Sequence, residues 1–126
     1  MPRDALQARP TLYKGIQMRS RLEALYAAGF DYDGLDWDYE PMAFADETGQ
    51  YLPDFVLRAK GFPNEYWEVK GLLDRDDLPI VQRRMEIIWT SEPDATLVLV
   101  VGSYDDSLQW IVAPGGSWVS QDANVA

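Results

Sequence analysis

The sequence predicts a single α/β domain, in which helices flank a mixed central β-sheet. Two observations lead to this prediction. The first is the order of periodicities, which runs from a helical segment through three strand-like segments to a second helical segment and two more strands. The second is the continuous apolar run at residues 96–102, which is typical of a strand buried on both faces. A helix that crosses over between two parallel strands fits this order.

The first helix is expected to begin near Gly15 and to end at Gly29. Its apolar residues recur at the spacing of one helical face, at Met18, Leu22, Leu25 and Tyr26. Gly29 suits the position just after a helix, because glycine adopts a left-handed backbone without strain. The preceding residues 1–12 lack periodicity and are predicted to form an N-terminal arm.

Three strands are expected next, at residues 35–44, 51–58 and 65–71. In the first of them apolar and acidic side chains alternate, which is the period of a strand with one buried face. Pro41 marks an edge, a bulge or the end of this strand, because proline cannot donate a ladder hydrogen bond. Turn-forming residues separate the three segments.

The second helix is expected over about Asp77–Thr90, with Pro79 in its first turn. The apolar run and a further strand at residues 108–114 complete the sheet. Residues 115–126 are mostly small and polar, so they are predicted to form a flexible C-terminal tail. The chain is thus interpreted as one domain, residues 13–114, between an arm and a tail.

The chain has no His and no Cys. This composition excludes imidazole bases, His-ligated zinc, thiolate metal sites and disulfides. Any metal must therefore be bound by oxygen atoms, which favours Mg²⁺, Mn²⁺ or Ca²⁺. The absence of a long apolar run and of an apolar N-terminal signal segment predicts a cytoplasmic protein.

The net charge is −10, which is unfavourable for a protein that binds nucleic acid. The charges are unevenly distributed, however. Residues 1–21 carry five basic groups and one acidic group, whereas residues 31–54 carry eight acidic groups and no basic one. On charge alone, an acidic protein without a nucleic-acid partner is the simpler interpretation.

Two short motifs lie on consecutive predicted strands: Pro53-Asp54 on the second and Glu68-x-Lys70 on the third. Of the three lysines, only Lys70 has an acidic residue two positions before it. If the strands are neighbours, Asp54 and Glu68 can share a divalent cation, with the Val69 carbonyl and waters as further ligands. Lys70 projects from the same strand face as Glu68, and such a site can hydrolyse a phosphodiester. The alternative interpretation is a surface salt bridge between the two strands.

Glu23 is a further candidate, because it lies on the flank of the apolar face of the first helix. A carboxylate at this position can reach the edge of the sheet and add a metal ligand. The alternative is an exposed helix residue that pairs with Arg19, four positions earlier.

The segments that carry these motifs resemble phage and bacterial nucleases of the PD-(D/E)XK superfamily. The similar runs are YKGIQMRSRLEALYAAGFDYDGLDWDYEP, GQYLPDFVL and YWEVKG, which fall within residues 13–71. The resemblance implies a restriction-endonuclease-like core of the order α-β-β-β-α-β and Mg²⁺- or Mn²⁺-dependent cleavage of DNA. The catalytic residues that it implies are Glu23 on the helix, the metal ligands Asp54 and Glu68, and the catalytic lysine Lys70. Glu40, in the first of these runs, is expected to be an exposed acid of a strand, and the alternative is an acid that supports the site from beside the motif strands.

Several basic or polar residues are candidates for contact with DNA. In the second helix they are Arg83 and Arg84, and also Gln82, which matches a functional glutamine of some exonucleases in this superfamily. Those exonucleases carry a tyrosine after the glutamine, whereas no tyrosine follows here within the predicted helix. Near the N-terminus the candidates are Lys14, Arg19 and Arg21. A solvated polar face is the alternative interpretation for these residues.

The sequence therefore predicts a metal-dependent deoxyribonuclease with Mg²⁺ or Mn²⁺ as cofactor, in particular an endonuclease or a structure-selective, resolvase-like enzyme of phage or bacterial DNA processing. Its expected partner is DNA, and a two-fold homodimer or a second protein that supplies specificity is compatible with the chain. Two alternatives stay open. One is a nuclease-like fold that has lost its activity and only binds a partner. The other is an interaction domain whose acidic residues at 31–47 and 105–106 form one exposed surface away from Lys70.

Overall fold

The structure, a computed structural model, describes residues 9–122 of the chain. Within this range it contains two α-helices, one 3-10 helix and ten β-strands, which confirms the predicted α/β class. The helices are α1 (Arg21–Tyr32), α2 (Leu78–Met85) and the 3-10 helix η1 (Glu86–Thr90). The strands are β1 (Thr11–Tyr13), β2 (Ile16–Met18), β3 (Asp36–Tyr39), β4 (Phe44–Asp46), β5 (Gly49–Tyr51), β6 (Phe55–Arg58), β7 (Glu65–Lys70), β8 (Thr96–Ser103), β9 (Asp106–Val112) and β10 (Val119–Asp122). No helix in the described range is long and apolar enough to cross a membrane.

Six strands form the central sheet, in the spatial order β10-β9-β8-β7-β6-β3. β7 and β8 pair in parallel, while the other neighbours are antiparallel, so the sheet is mixed as predicted. A parallel pair cannot be joined by a tight turn, and the connection here contains α2 and η1. The predicted crossover helix is thereby confirmed.

Apolar side chains cover both faces of the central sheet. Along β8, Leu97 and Leu99 belong to one buried cluster, whereas Val98 and Val100 belong to another. The first cluster also contains residues of α2 and η1, and the second contains residues of α1. This alternation explains why the sequence of β8 is apolar at successive positions.

Helix α1 begins later than the sequence predicts, because residues 11–18 form the antiparallel hairpin of β1 and β2. Ser20 is the N-cap of the helix. The Ser20 hydroxyl accepts a hydrogen bond from the Glu23 amide, and Glu23 Oε1 accepts one from the Ser20 amide, each at 3.1 Å. This capping box fixes the start of α1, since it satisfies amides that have no partner within the helix.

Gly29 lies within α1 and does not end it, contrary to the prediction. A Cβ atom at this position would lie 2.5 Å from a ring carbon of Tyr104, so glycine is required for the ring to pack against the helix. The left-handed residue that follows the helix is Gly34, with a φ of +73°. Close packing and helix termination are therefore provided by two different glycines.

The predicted strands near Pro41 and Pro53 are shorter than expected. Residues 35–44 contain β3 and only the first residue of β4, which pairs with β5 in a separate two-stranded sheet. Pro53 and Asp54 lie between β5 and β6, where the missing proline amide costs no ladder hydrogen bond. The chain thus leaves the small sheet just before it enters the central one.

The second helix is also divided, since α2 ends at Met85 and the chain continues as η1 to Thr90. Its predicted extent is close to the observed one, but its last part has 3-10 rather than α geometry. The boundaries predicted for the arm and the tail are shifted as well, because β1 includes Leu12 and β10 pairs with β9 at the sheet edge. Residues 1–8 of the arm and 123–126 of the tail lie outside the described residues.

Candidate functional site

Asp54 and Glu68 lie on neighbouring segments, as the sequence predicts. The Asp54 amide donates a hydrogen bond to the Trp67 carbonyl at 3.0 Å, and Phe55 pairs with Trp67 in the antiparallel register of β6 and β7. This register places Asp54 opposite Glu68. Both are buried, with 1% of Asp54 and 7% of Glu68 exposed. Two buried carboxylates repel each other, so hydrogen-bond donors or cations must compensate them.

One oxygen of each carboxylate is held by a donor within the fold. Oδ2 of Asp54 accepts a hydrogen bond from the Val69 amide at 2.7 Å. Oε1 of Glu68 accepts one from the Tyr51 hydroxyl at 2.5 Å, and Tyr51 is itself buried at the end of β5. These bonds orient both carboxylates and leave Oδ1 of Asp54 and Oε2 of Glu68 for other partners.

Glu23 repeats this arrangement at the start of α1. Its Oε1 accepts hydrogen bonds from the Ser20 amide at 3.1 Å and from the Tyr39 hydroxyl at 2.9 Å. The residue is buried, with 5% exposed, so the alternative of an exposed helix residue is wrong. We refer to Glu23, Asp54 and Glu68 as the carboxylate cluster.

Two cations lie against the carboxylate cluster. Nη2 of Arg19 is 3.0 Å from Oδ1 of Asp54 and 3.9 Å from Oε2 of Glu23. Nζ of Lys70 is 3.4 Å from Oε2 of Glu68. Each carboxylate therefore has one oxygen on an internal hydrogen-bond donor and the other oxygen facing a cation. The predicted pairing of Arg19 with Glu23 is present, but the closer contact is with Asp54.

The cluster is electrostatically strained. Burial raises the pKa of Asp54 well above its usual range, and the charges of Glu68 and Glu23 raise it further, while the Val69 amide and Arg19 oppose the shift. Burial also raises the pKa of Tyr51, and Glu68 and Asp54 add to that effect. Tyr51 therefore stays protonated at neutral pH and donates to Glu68. A bound divalent cation would relieve the same repulsion that raises the pKa of Asp54.

The chemistry of the cluster fits a hard metal ion, because its donors are carboxylate oxygens. As the side chains stand, residues 9–122 contain no group of three or more acidic side chains arranged to hold a metal ion together. At Asp54 the guanidinium of Arg19 contacts the oxygen that a metal would use. Asp54 and Glu68 are chemically suited to a metal as an opposed pair, and the binding of a metal between them stays a prediction. Val69 contacts Asp54 through its amide, and its carbonyl as a metal ligand stays a prediction.

The cluster borders a cavity of about 240 Å³. The cavity is lined by Arg19, Tyr51, Leu52, Glu68, Lys70, Val81 and Arg84. Arg84 of α2 thus lines the same cavity as Lys70, and it takes part in none of the ion pairs found among residues 9–122. Arg83 lines a neighbouring cavity together with Arg84, whereas Gln82 lines neither of the two.

The N-terminal candidates for DNA contact, other than Arg19, lie outside this cavity. Lys14 pairs with Asp31 at 2.8 Å, near the end of α1. Hydrogen bonds from Lys14, Tyr13 and Trp37 lower the pKa of Asp31 to about 2. Lys14 therefore ties the β1–β2 hairpin to α1. Arg21 is exposed in the first turn of that helix.

The sequence suggests Glu40 as a candidate supporting acid of the site but gives no role to Tyr39 or Tyr51. Tyr39 and Tyr51 each donate to one acid of the cluster, and Oε2 of Glu40 lies 3.0 Å from Nε of Arg19. The expectation that Glu40 is an exposed acid is wrong, since its side chain is 26% exposed and paired. Glu40 has a φ of +44°, a left-handed conformation that is strained for a residue other than glycine. Their position in the sequence could have indicated a role in the site, because all three residues belong to the runs that carry the nuclease resemblance.

The fold and the site together define an α/β domain with a buried carboxylate cluster, whose Glu68 lines one cavity together with Lys70 and Arg84. No family model matches the chain, and no curated protein is significantly similar to it in sequence. The function is therefore proposed from the geometry of this site and from the motifs that form it.

Proposed function

We propose that this protein is a metal-dependent nuclease that hydrolyses DNA phosphodiester bonds, with Mg²⁺ or Mn²⁺ as its cofactor. In this proposal α1, β3, β6, β7, α2 and β8 form a restriction-endonuclease-like core, since they occur along the chain in the order α-β-β-β-α-β, with the β4–β5 hairpin inserted between β3 and β6. The proposal includes an endonuclease or resolvase-like mode of cleavage, for which the support is the resemblance of residues 13–71 to PD-(D/E)XK nucleases.

One observation carries the proposal: the two oxygens of each carboxylate have different kinds of partner. Asp54 and Glu68 each have one oxygen fixed by a donor of the fold and the other beside a cation. A surface salt bridge would leave its carboxylates exposed to water, whereas these are buried. Asp54 is also a buried carboxylate whose pKa is raised by burial, which is characteristic of functional sites.

The residues of the carboxylate cluster and of the cavity beside it have distinct roles in this mechanism. Asp54 and Glu68 hold the cation, while Val69 and Tyr51 fix the carboxylates in place. A cation held there would supply Lewis-acid polarisation of the phosphate and would lower the pKa of a water. Lys70 orients the attacking water or stabilises the charge that develops on the phosphate in the transition state.

DNA would be held by a small basic surface within an acidic protein. Arg84 lines the cavity beside Lys70, and Arg83 lines the adjoining one. Both side chains are exposed on α2. Because this surface offers few cations, we expect weak binding with a shallow dependence on salt concentration, and a preference for DNA structures that place a flexible or bent backbone in the cavity.

The test is cleavage of supercoiled plasmid, linear duplex and branched DNA with Mg²⁺ or Mn²⁺. We expect the wild-type protein to cut at least one substrate in a metal-dependent way, and Lys70→Ala and Asp54→Asn to lower the rate by about 100-fold or more. Failure of the wild type to cut any substrate with either metal would refute the proposal. Equal cutting by wild type and both variants would indicate a contaminating nuclease.

The chain offers matched controls for both substitutions. Lys60 is an exposed lysine in the turn after β6, and Asp94 is the exposed acid of the second Pro-Asp pair, at residues 93–94. Lys60→Ala and Asp94→Asn change charge by the same amount as the test variants. We expect both to retain the wild-type rate.

One observation favours the alternative of an inactive nuclease-like fold, because Arg19 already neutralises Asp54 without a metal. That alternative predicts neither metal uptake nor cleavage. A continuous acidic interaction surface is less well supported. Several of its acidic residues form salt bridges with different basic residues: Asp31 with Lys14, Asp38 with Arg58 and Glu40 with Arg19.

A further inference from the structure

We propose that Arg19 is the resident cation of the carboxylate cluster, and that a divalent ion binds by displacing its guanidinium from Asp54. This inference rests on the proposed function, because it concerns the metal of the same site. Arg19 is then a positioning residue with two alternative partners. It contacts the carboxylate cluster in the metal-free protein and a DNA phosphate in the protein that has bound metal and DNA.

Arg19 contacts the one oxygen of Asp54 that the fold does not hold. Oδ2 of Asp54 is held by the Val69 amide at 2.7 Å, so Oδ1 is the oxygen that remains for a cation. Nη2 of Arg19 lies 3.0 Å from this Oδ1. A guanidinium and a metal ion cannot both take the same in-plane position on one carboxylate oxygen. Metal uptake at this position of Asp54 therefore requires Arg19 to move.

The side chain of Arg19 is free to move because most of it is exposed to solvent. Its side chain is 63% exposed, whereas that of Asp54 is 2% exposed, so the guanidinium approaches the cluster from the solvent side. The Arg19 backbone is held in place, because its amide donates a hydrogen bond to the Tyr39 hydroxyl at 2.9 Å. Arg19 precedes α1, so a change of its side-chain rotamer leaves the helix intact.

A displaced guanidinium of Arg19 would remain in the cavity beside the carboxylate cluster. Arg19 lines the cavity that Lys70 and Arg84 also line. A guanidinium that leaves Asp54 thus stays within a cavity whose other cations are the proposed phosphate contacts. Its remaining anchor is Glu40, whose Oε2 lies 3.0 Å from Nε. This tether keeps Arg19 at the site while its Nη2 is released.

Competition between two cations has a signature that other roles of Arg19 lack. Removal of the guanidinium should destabilise the metal-free protein, because the carboxylate cluster loses its counter-ion. The same change should strengthen metal binding, because the metal no longer displaces a charge-assisted hydrogen bond. A purely structural arginine would weaken both properties when removed, and an arginine that only binds phosphate would change neither.

The test is titration of the full chain with Mn²⁺ alone at pH 8, without DNA, by calorimetry, together with thermal unfolding of the metal-free protein. We expect Arg19→Gln to bind Mn²⁺ about tenfold more tightly than wild type and to unfold at a lower temperature. The matched control is Arg21→Gln, since Arg21 is exposed and pairs with no acid among residues 9–122. It changes the net charge equally and should leave both measurements within about twofold or one degree of wild type.

An affinity of Arg19→Gln for Mn²⁺ that is unchanged or weaker than that of wild type would overturn the inference. If Arg19→Gln does not fold, Arg19→Lys replaces it. Lysine keeps the charge but lacks the planar fork, so we expect tighter Mn²⁺ binding by about threefold. Unchanged or weaker binding by Arg19→Lys would then count against the inference in the same way.

Asp54→Asn separates this inference from the proposed function. If wild type takes up no Mn²⁺, or if Asp54→Asn takes it up equally well, the proposed metal site itself fails. If Asp54→Asn abolishes uptake but Arg19→Gln does not strengthen it, the metal site stands and only the displacement of Arg19 is refuted.

Discussion

The hydroxyl of Tyr51 donates a hydrogen bond to Oε1 of Glu68 at 2.5 Å, and both side chains are buried. Tyr51 belongs to β5, which lies in the small β4–β5 sheet and not in the central sheet. The small sheet thus contributes directly to the site, because it supplies the donor that orients one of the two opposed carboxylates.

Tyr51→Phe is expected to lower the rate of DNA cleavage by about tenfold and the free energy of unfolding by about 1–3 kcal/mol, since one oxygen of Glu68 loses its donor. The measurements are steady-state cleavage and chemical denaturation. Tyr66→Phe is the matched control, because Tyr66 is also buried and donates to a different carboxylate, Glu92. It should lose stability but keep its cleavage rate. Equal rates for both variants would argue against a positioning role for Tyr51.

Asp54→Asn is expected to stabilise the metal-free fold at neutral pH. The raised pKa of Asp54 means that the folded protein binds its proton more tightly than the unfolded chain does. The stability that this proton contributes is complete below the unfolded pKa of about 3.9 and is lost as the pH rises through the folded pKa. Asparagine carries no such charge, so the melting temperature of the variant should exceed that of wild type by a few degrees at pH 7.

The pH dependence distinguishes this cause from a packing effect. The difference in melting temperature should be small at pH 3.5 and should grow as the pH rises. Asp94→Asn, at an exposed position, serves as the control and should follow wild type throughout. A difference that stays constant from pH 3.5 to pH 8 would rule out relief of buried charge as the explanation.

Arg84→Ala is expected to weaken DNA binding without blocking the chemical step. KM should rise by about three- to tenfold, kcat should change little, and the slope of log affinity against log salt should fall by about one unit, as for the loss of one phosphate contact. Arg58→Ala is the control, because Arg58 lies at the opposite end of β6 from Asp54 and pairs with Asp38. An identical salt slope for Arg84→Ala and wild type would remove Arg84 from the DNA contacts.

Gly29→Ala is expected to destabilise the fold by about 1–3 kcal/mol, because the new methyl group overlaps the Tyr104 ring. A double-mutant cycle with Tyr104→Ala provides the control, since removing the ring also removes the overlap. The cost of Gly29→Ala should largely disappear in the Tyr104→Ala background. Additive effects in thermal denaturation would show that the overlap is not the cause.

The central sheet could be predicted because its pattern is local. Residues 97–101 of β8 are all apolar, and in β7 the acid and the lysine are two positions apart, so periodicity alone indicates burial and shared faces. The start of α1 was misplaced because the apolar residues of the β1–β2 hairpin continue the helical spacing. A better signal is present at Ser20 and Glu23, whose S-x-x-E spacing is that of a capping box.

The site could be predicted only in part. Asp54, Glu68 and Lys70 follow from two strand-like segments that the sequence indicates, while their register is known only from the structure. The contact of Arg19 with Asp54 depends on a side-chain conformation across a sequence separation of 35 residues, and no spacing rule reaches that far. The break at Pro53 is likewise tertiary, because it depends on β5 pairing with β4 instead of continuing into β6.

The capping box of α1 has a consequence for how the site can be observed. Glu23 Oε1 accepts a hydrogen bond from the Ser20 amide, while Oε2 of the same side chain faces the Arg19 guanidinium. Any ligand that turns this carboxylate weakens the bond to Ser20 and frays the first turn of the helix. Amide hydrogen exchange at Ser20 should therefore quicken as the site fills, in proportion to occupancy, while Tyr26 and Ala27 in the middle of the helix stay protected. The helix terminus would then serve as an internal reporter of ligand binding in the absence of DNA.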